Sequence, residues 1–324
     1  MDDILMLGID IGGTYTKIGL VNRQGELLAF RTFPSHARED FTDFLQAFQD
    51  NFKQLMEAVP EGMRVVAAGI GAPNANPYRG TMEYPVNFTW GDRVPLLEHI
   101  RPIVGRPVFL TNDANASALG EWRFGLAKGL EHFIVVTLGT GLGSGIVSHG
   151  RLIEGTSGLA GEMGHVEVRP DGRQCICGKR GCLETYASAS GLKRTAFKLM
   201  ADEPVPSMLR SYAFEDLDGQ KITEAALAGD PLAQRAFAYT GYILGSKLAD
   251  AVAYFHPQVI ILSGGLAKAG NLLLKPTLDS MEHHLKPGFR KSVRLLISEM
   301  HGANAAVLGA AALAWERAEI PVES

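Results

Sequence analysis

The stretch Ile4–Val21, ILMLGIDIGGTYTKIGLV, decides the fold reading. Ile4–Asp10 is short and mostly apolar, Ile11–Thr14 supplies two glycines for a turn, and Thr16–Val21 reads as a second strand. Asn22–Gly25 then turns into a third strand over Leu27–Phe33. The plan returns about 130 residues later. Phe133–Leu138 is a strand, Gly139–Gly143 (GTGLG) a turn and Ser144–Ser148 a strand, after which His149 and Gly150 lead into Arg151–Glu154. Two three-strand meanders, each with a Gly/Thr-rich first turn, predict two similar α/β lobes.

The remaining segments fit that plan. Phe41, Phe44, Leu45, Phe48, Phe52 and Leu55 have helical spacing. Val65–Ile70 reads as a buried strand, Gly71–Arg93 as Pro/Asn/Gly-rich connection, Leu96–Ile100 as the start of a helix and Val108–Thr111 as a strand. Helical patterns run over Ala187–Met200, Leu232–Phe255 and Ala303–Glu319, with buried strands at Val259–Ser263 and Val293–Ile297. Strands alternating with helices define the α/β class.

Composition narrows the function. A chain of 324 residues forms one large or two medium domains. Thirty-one Lys+Arg against 35 Asp+Glu leave a net charge of -4, which lacks the basic footprint of sequence-independent nucleic-acid binding. No apolar run approaches the ~20 residues of a membrane span. The first residues lack the basic segment and cleavage site of a signal peptide, so the cytoplasm is the expected location.

Three glycine-rich loops end buried strands: Asp10–Lys17 (DIGGTYTK), Gly139–Gly143, and Gly264-Gly265. Such loops bring backbone amides and threonine hydroxyls close to phosphate oxygens. Asp10 at its strand end suits a divalent cation held through water. A tight hairpin turn without a ligand is the plainer reading of any one loop; three at strand ends favour phosphate. The P-loop motif G-x-x-x-x-G-K-[ST] is missing, and Ser144 breaks G-x-G-x-x-G in the middle loop.

After the strand at Val108 comes Asn112-Asp113-Ala114-Asn115. Asp113 either caps a helix as its first residue or acts as general base toward a substrate hydroxyl. Glu162, His165 and Glu184 supply further polar groups of the kind that bind a neutral polyol, or sit on the surface. All three cysteines, Cys175, Cys177 and Cys182, fall within eight residues. With His165 they read H-x9-C-x-C-x4-C, a Cys₃His set suited to tetrahedral structural zinc. A filled shell leaves no open position for catalysis.

Together these motifs resemble the ROK family (repressors, open reading frames and sugar kinases) of the actin-like ATPase superfamily, over nearly the whole chain. Cys175–Glu184 matches C-x-C-G-x-x-G-C-x-E, Glu162–His165 matches E-x-G-H, Asp10–Lys17 matches D-x-G-G-T-x-x-K, and Asn112–Asn115 matches N-D-A-N. The resemblance implies a duplicated, ribonuclease H-like two-lobe fold with a zinc-binding loop. It implies ATP- and Mg²⁺-dependent phosphorylation of a hexose 6-hydroxyl, with Asp113 as the base. Asn87, Asn112, Glu162, His165 and Glu184 would hold sugar hydroxyls. Asp10, Gly12, Gly13, Thr14, Thr16, Lys17, Thr140 and Gly141 would serve the phosphates and cation, and Gly264-Gly265 the adenosine. It also implies a homodimer formed through the larger lobe.

Two positions depart from the family pattern. Tyr15 is bulky, and Gly71–Asn74 reads G-A-P-N in place of the common G-x-P-G. Family glucokinases carry G-A-P-N, so glucose is the expected hexose, ahead of N-acetylglucosamine, N-acetylmannosamine and mannose. The small lobe is expected over residues 1–111 with a C-terminal helix at about 303–324, and the large lobe over 112–302. Rival functions are a sugar-responsive repressor, for which an N-terminal helix-turn-helix would have to precede Asp10, and a non-catalytic sugar-binding protein.

Overall fold

The computed structural model describes residues 3–300 and 304–318. In chain order these hold β1 (Ile4–Ile11), β2 (Tyr15–Val21), β3 (Leu27–Pro34), α1 (Phe41–Met56), β4 (Arg64–Ala72), β5 (Ala75–Asn76), β6 (Thr81–Glu83) and β7 (Arg93–Val94). Next come α2 (Leu96–Val104), β8 (Val108–Asn112), α3 (Asp113–Phe124), β9 (Phe133–Leu138), β10 (Leu142–Ser148) and β11 (Arg151–Leu152). The chain continues through α4 (Glu184–Ala187), α5 (Ala189–Asp202), α6 (Gly219–Leu227) and α7 (Pro231–Phe255). It closes with β12 (Val259–Ser263), α8 (Asn271–His284), β13 (Arg294–Ile297) and α9 (Asn304–Arg317). Position 303 and positions 319–324 of the expected C-terminal helix lie outside the described residues.

Contacts divide the chain into two units, one of Met1–Gly129, Leu152–Gly161 and Met300–Ser324, the other of Leu130–Arg151 and Glu162–Glu299. The first unit therefore extends past Thr111 to Gly129, because α3 packs on α9. The strand order in the first unit is β3-β2-β1-β4-β8, and in the second β11-β10-β9-β12-β13. In each, three strands form an antiparallel meander and two more add parallel to the first. This repeated order is the duplicated ribonuclease H-like α/β plan.

In the first unit, alternation along β1 sends Leu5, Leu7, Ile9 and Ile11 into a core with Phe44 and Phe48 of α1 and Ile100 of α2. Ile4 and Met6 point to the other face, against Val307, Ala311 and Ala314 of α9. Both faces are covered, which is why the strand reads as a nearly continuous apolar run. Gly8 is in register with Gly19 and with Gly69, giving a lane without side chains across three strands. The α9 backbone lies in that lane: a Cβ on Gly69 would sit 2.9 Å from the Ala310 carbonyl carbon and closer still to its oxygen.

Four segments differ from the sequence expectation. The helix expected over Ala187–Met200 is two helices, because Ser188 leaves helical geometry and caps α5 by accepting from Gly191 N. The Pro/Asn/Gly-rich stretch carries the small antiparallel sheet β5-β6-β7. Helices α6 and α8 stand where no helix is expected: α6 is only nine residues long, burying Ile222, Ala225 and Ala226 on one face, and α8 carries Pro276 in its interior.

Candidate active site

In the first unit the parallel strands β1, β4 and β8 end along one edge of the sheet. Asp10 pairs in register with Gly71, and Gly71 with Thr111. Asp10 and the start of α3 therefore lie two strand spacings apart, about 10 Å. Carboxyl ends of parallel strands are where open α/β sheets bind ligands.

The helix cap at this edge is Asn112, not Asp113. Asn112 Oδ1 accepts from Ala114 N at 2.9 Å, and its backbone stays extended (φ -64, ψ 148). The cap uses the amide oxygen and leaves Nδ2 as the group Asn112 can offer a ligand. Asp113 is the first helical residue and is exposed, with Oδ1 accepting from its neighbour Ala114 N at 2.7 Å. A carboxylate in the first turn of a helix interacts favourably with the helix dipole.

Asp10 and Lys17 face each other across the β1–β2 hairpin, with Lys17 Nζ donating to Asp10 Oδ2 at 3.1 Å. Burial pushes the Asp10 carboxyl above its ordinary value, and Lys17 only partly offsets this. Lys17 is thus committed to Asp10. Gly12, Gly13 and Thr14 form the turn, where Gly12 N donates to Tyr15 O at 3.2 Å. Gly13, Thr14 and Tyr15 are exposed. The Thr16 side chain does not join them: it is fully buried, and its hydroxyl pairs with Ser35 Oγ at 2.8 Å. Strand alternation turns it inward while Lys17 turns to Asp10.

Asn87 packs directly over this turn. A Cβ on Gly13 would lie 3.2 Å from Asn87 Cβ. The G-A-P-N departure also has a local cause. Asn74 adopts φ 48, a left-handed conformation that glycine takes freely and asparagine better than most residues. Its Nδ2 donates to Tyr84 O at 3.0 Å.

In the second unit β9 and β12 run parallel, with Thr137 beside Ser263, so the loops that follow them meet. Gly264 (φ +89) presses on the end of β9; a Cβ there would lie 2.6 Å from Leu138 O. Gly265 is open on its Cβ side. In the other loop, Gly139 N donates to Gly141 O at 3.0 Å, and Thr140 at the tip is exposed. Glu184, at the start of α4, reaches this loop. Its Oε2 accepts from Leu142 N at 3.0 Å, and a Cβ on Gly141 would collide with the same carboxylate, 3.3 Å from Cδ and nearer to Oε2.

His165, Cys175, Cys177 and Cys182 converge, with one ligand atom from each lying within 4.8 Å of the others. Cys175 Sγ is 3.7 Å from His165 Nδ1, and Cys177 Sγ is 3.7 Å from Cys182 Sγ. No disulfide forms. Burial pushes the Cys175 thiol up to about 12, so a bound cation is what would ionise it. The donor set, spacing and free thiols fit tetrahedral zinc. The other imidazole nitrogen, Nε2, lies 3.8 Å from Glu162 Oε2. Burial raises the Glu162 carboxyl, while His165 lowers it and Glu184 raises it further, so these three polar groups share one neighbourhood.

Sequence reading missed three supports. Arg173 donates to Thr185 O (2.8 Å), Gly191 O (3.0 Å) and Thr195 Oγ1 (3.0 Å), tying the cysteine knot to α4 and α5. Ala189 N donates to Gly139 O at 2.9 Å, and Ser35 holds Thr16. None lies in a recognisable motif; adjacency of Arg173 to Cys175 was the one available signal.

A family model described as the ROK family matches residues 6–317. A glucokinase of Streptomyces coelicolor is 36% identical over 317 residues, covering 96% of this chain and 98% of that protein. A glucokinase of Thermotoga maritima is 32% identical over 321 residues, covering 98% and 99%. The crystal structure of a ROK family glucokinase from Streptomyces griseus in complex with glucose and AMPPNP aligns with TM-score 0.81 and 35% identity, covering 96% of this chain and 99% of that one.

Proposed function

The chain belongs to the ROK family, and on that premise we propose that it is an ATP-dependent hexose kinase that phosphorylates the 6-hydroxyl of glucose. One observation carries the reading. In each unit, a polar side chain of a sugar-type motif lies against a glycine loop of phosphate type: Asn87 against Gly13, and Glu184 against Gly141. That juxtaposition suits transfer of a phosphoryl group to a sugar.

In this mechanism Asp113 accepts the proton of the 6-hydroxyl as that oxygen bonds to phosphorus and the bond to the ADP oxygen breaks. Asn112, through Nδ2, and Asn87, Glu162, His165 and Glu184 orient the sugar hydroxyls. Backbone amides of Gly13, Thr14, Thr140 and Gly141 neutralise phosphate charge, Gly12 closes the turn that presents them, and Gly264-Gly265 let the nucleoside approach. The partly buried Asp10 carboxylate, with Lys17 beside it, would hold a hydrated Mg²⁺, which when bound offsets charge on the transferring phosphoryl group. His165, Cys175, Cys177 and Cys182 would hold zinc as a structural ion, leaving Nε2 of His165 for the sugar.

No helix among the described residues is long and apolar enough to cross a membrane. This agrees with a cytoplasmic enzyme. A homodimer formed through the second unit is part of the same reading. Tyr242 and Tyr254 on α7 are 49% and 82% exposed, and light scattering would report the mass.

The test is ADP release with Mg²⁺–ATP over glucose, mannose, N-acetylglucosamine, N-acetylmannosamine, fructose and no sugar. Glucose should give the highest kcat/KM. Preference for an N-acetylated sugar would keep the mechanism and overturn the substrate; silence with every sugar in zinc-loaded protein would overturn the kinase.

A further inference from the structure

Glu184 is placed for work that its expected contact with a sugar does not need. One carboxylate oxygen accepts the Leu142 amide at 3.0 Å, at the point where the Gly139–Gly143 loop enters β10. Its bulk fills the space that Gly141 leaves. Two residues earlier Cys182 belongs to the cysteine knot, and Thr185 N and Oγ1 donate back to Cys182 O at 3.0 and 2.8 Å. On the far side of α4, Ala189 N holds Gly139 O. The knot also abuts the loop directly, since a Cβ on Gly164 would lie 3.2 Å from the Leu142 carbonyl carbon. The short segment from Cys182 to Ala189 therefore grips the glycine loop at both ends, and all of these groups lie within the second unit.

We propose that Glu184 is a positioning residue for the nucleotide: it carries the order of the metal knot into the Gly139–Gly143 loop, fixing the loop's shape before ATP arrives. This rests on the kinase reading. A glycine loop is entropically costly to order, and a charge-assisted hydrogen bond from a carboxylate to a backbone amide offsets that cost in advance. Sugar binding and phosphate binding would then share one side chain.

Two measurements on the zinc-loaded full chain, both without sugar, test this. The first is AMPPNP affinity by calorimetry; the second is hydrogen exchange at the Leu142 amide. Glu184→Ala should keep its zinc, expose the Leu142 amide to exchange and weaken AMPPNP about tenfold or more. Glu184→Gln keeps an oxygen for that amide and should restore most of both. Removing zinc from the wild type with a chelator should also speed Leu142 exchange. Wild-type protection and wild-type AMPPNP affinity in Glu184→Ala would overturn the proposal. Wild-type protein that binds glucose but not AMPPNP would overturn the kinase reading and the nucleotide half of the proposal, while Leu142 exchange separately decides whether Glu184 holds the loop.

Discussion

Replacing Gly69 with alanine should lower the stability of the first unit by about 2–3 kcal/mol. The new Cβ would meet the Ala310 carbonyl carbon at 2.9 Å and Ala314 N at 3.1 Å, with the Ala310 oxygen nearer still. All three atoms are helix backbone, so no side chain can rotate away. Relief requires α9 to retreat by about 1 Å, which forfeits a quarter to a half of the dispersion energy along its face. Overpacking of this kind costs typically ~1–3 kcal/mol, occasionally more, and a rigid backbone neighbour puts Gly69 at or above the upper end. Reduced freedom of the unfolded chain returns about 0.4–1 kcal/mol. The assay is urea unfolding followed by tryptophan fluorescence, since Trp315 sits on α9 and is 6% exposed. With a slope of about 3 kcal/mol/M, the midpoint should fall by roughly 0.7–1 M. Gly288→Ala is the control, because a Cβ there meets nothing within 4 Å. A Gly69→Ala midpoint within 0.2 M of wild type (about 0.6 kcal/mol on that slope), or an equal fall in the control, would refute the packing account.

Further outcomes concern the candidate site. Asp113→Asn should cut kcat by about 10²–10⁴-fold while glucose binding by calorimetry stays within about threefold of wild type; near-normal kcat would remove Asp113 from the base role. Asp10→Asn should lower activity at least about tenfold without lowering stability at pH 7. The sign follows from burial: the folded carboxyl titrates above its ordinary 3.8, so its stabilising contribution is complete below that pH and is lost as pH rises through the folded value. At neutral pH the ionised form is a cost that asparagine removes, and a urea midpoint well below wild type at pH 7 would contradict this. Metal analysis should find about one zinc per chain, lost in Cys177→Ala together with several degrees of melting temperature. Full retention of zinc in that variant would break the four-ligand assignment.

Much of this protein is legible in its sequence. Strand and helix periods depend on local alternation, so the two meanders, α1 and α7 are readable from spacing alone. The cysteine cluster is equally plain, because its four ligands lie within eighteen residues (165–182) and chain proximity does most of the assembly. Glycines at strand ends announce that backbone must approach something closely.

What only tertiary structure decides is direction and partnership. Thr16 and Lys17 stand together in one motif, yet the pleat buries one against Ser35 and sends the other to Asp10. The sequence offers Asp113 as the cap, yet β8 ends so that the extended geometry falls on Asn112. Gly8, Gly19 and Gly69 look unrelated in sequence, and only strand register makes them a lane for α9. Glu184 lies 42 residues from the amide it holds. Local pattern records what each residue prefers; these pairings arise from long-range register and packing, which no window of sequence contains.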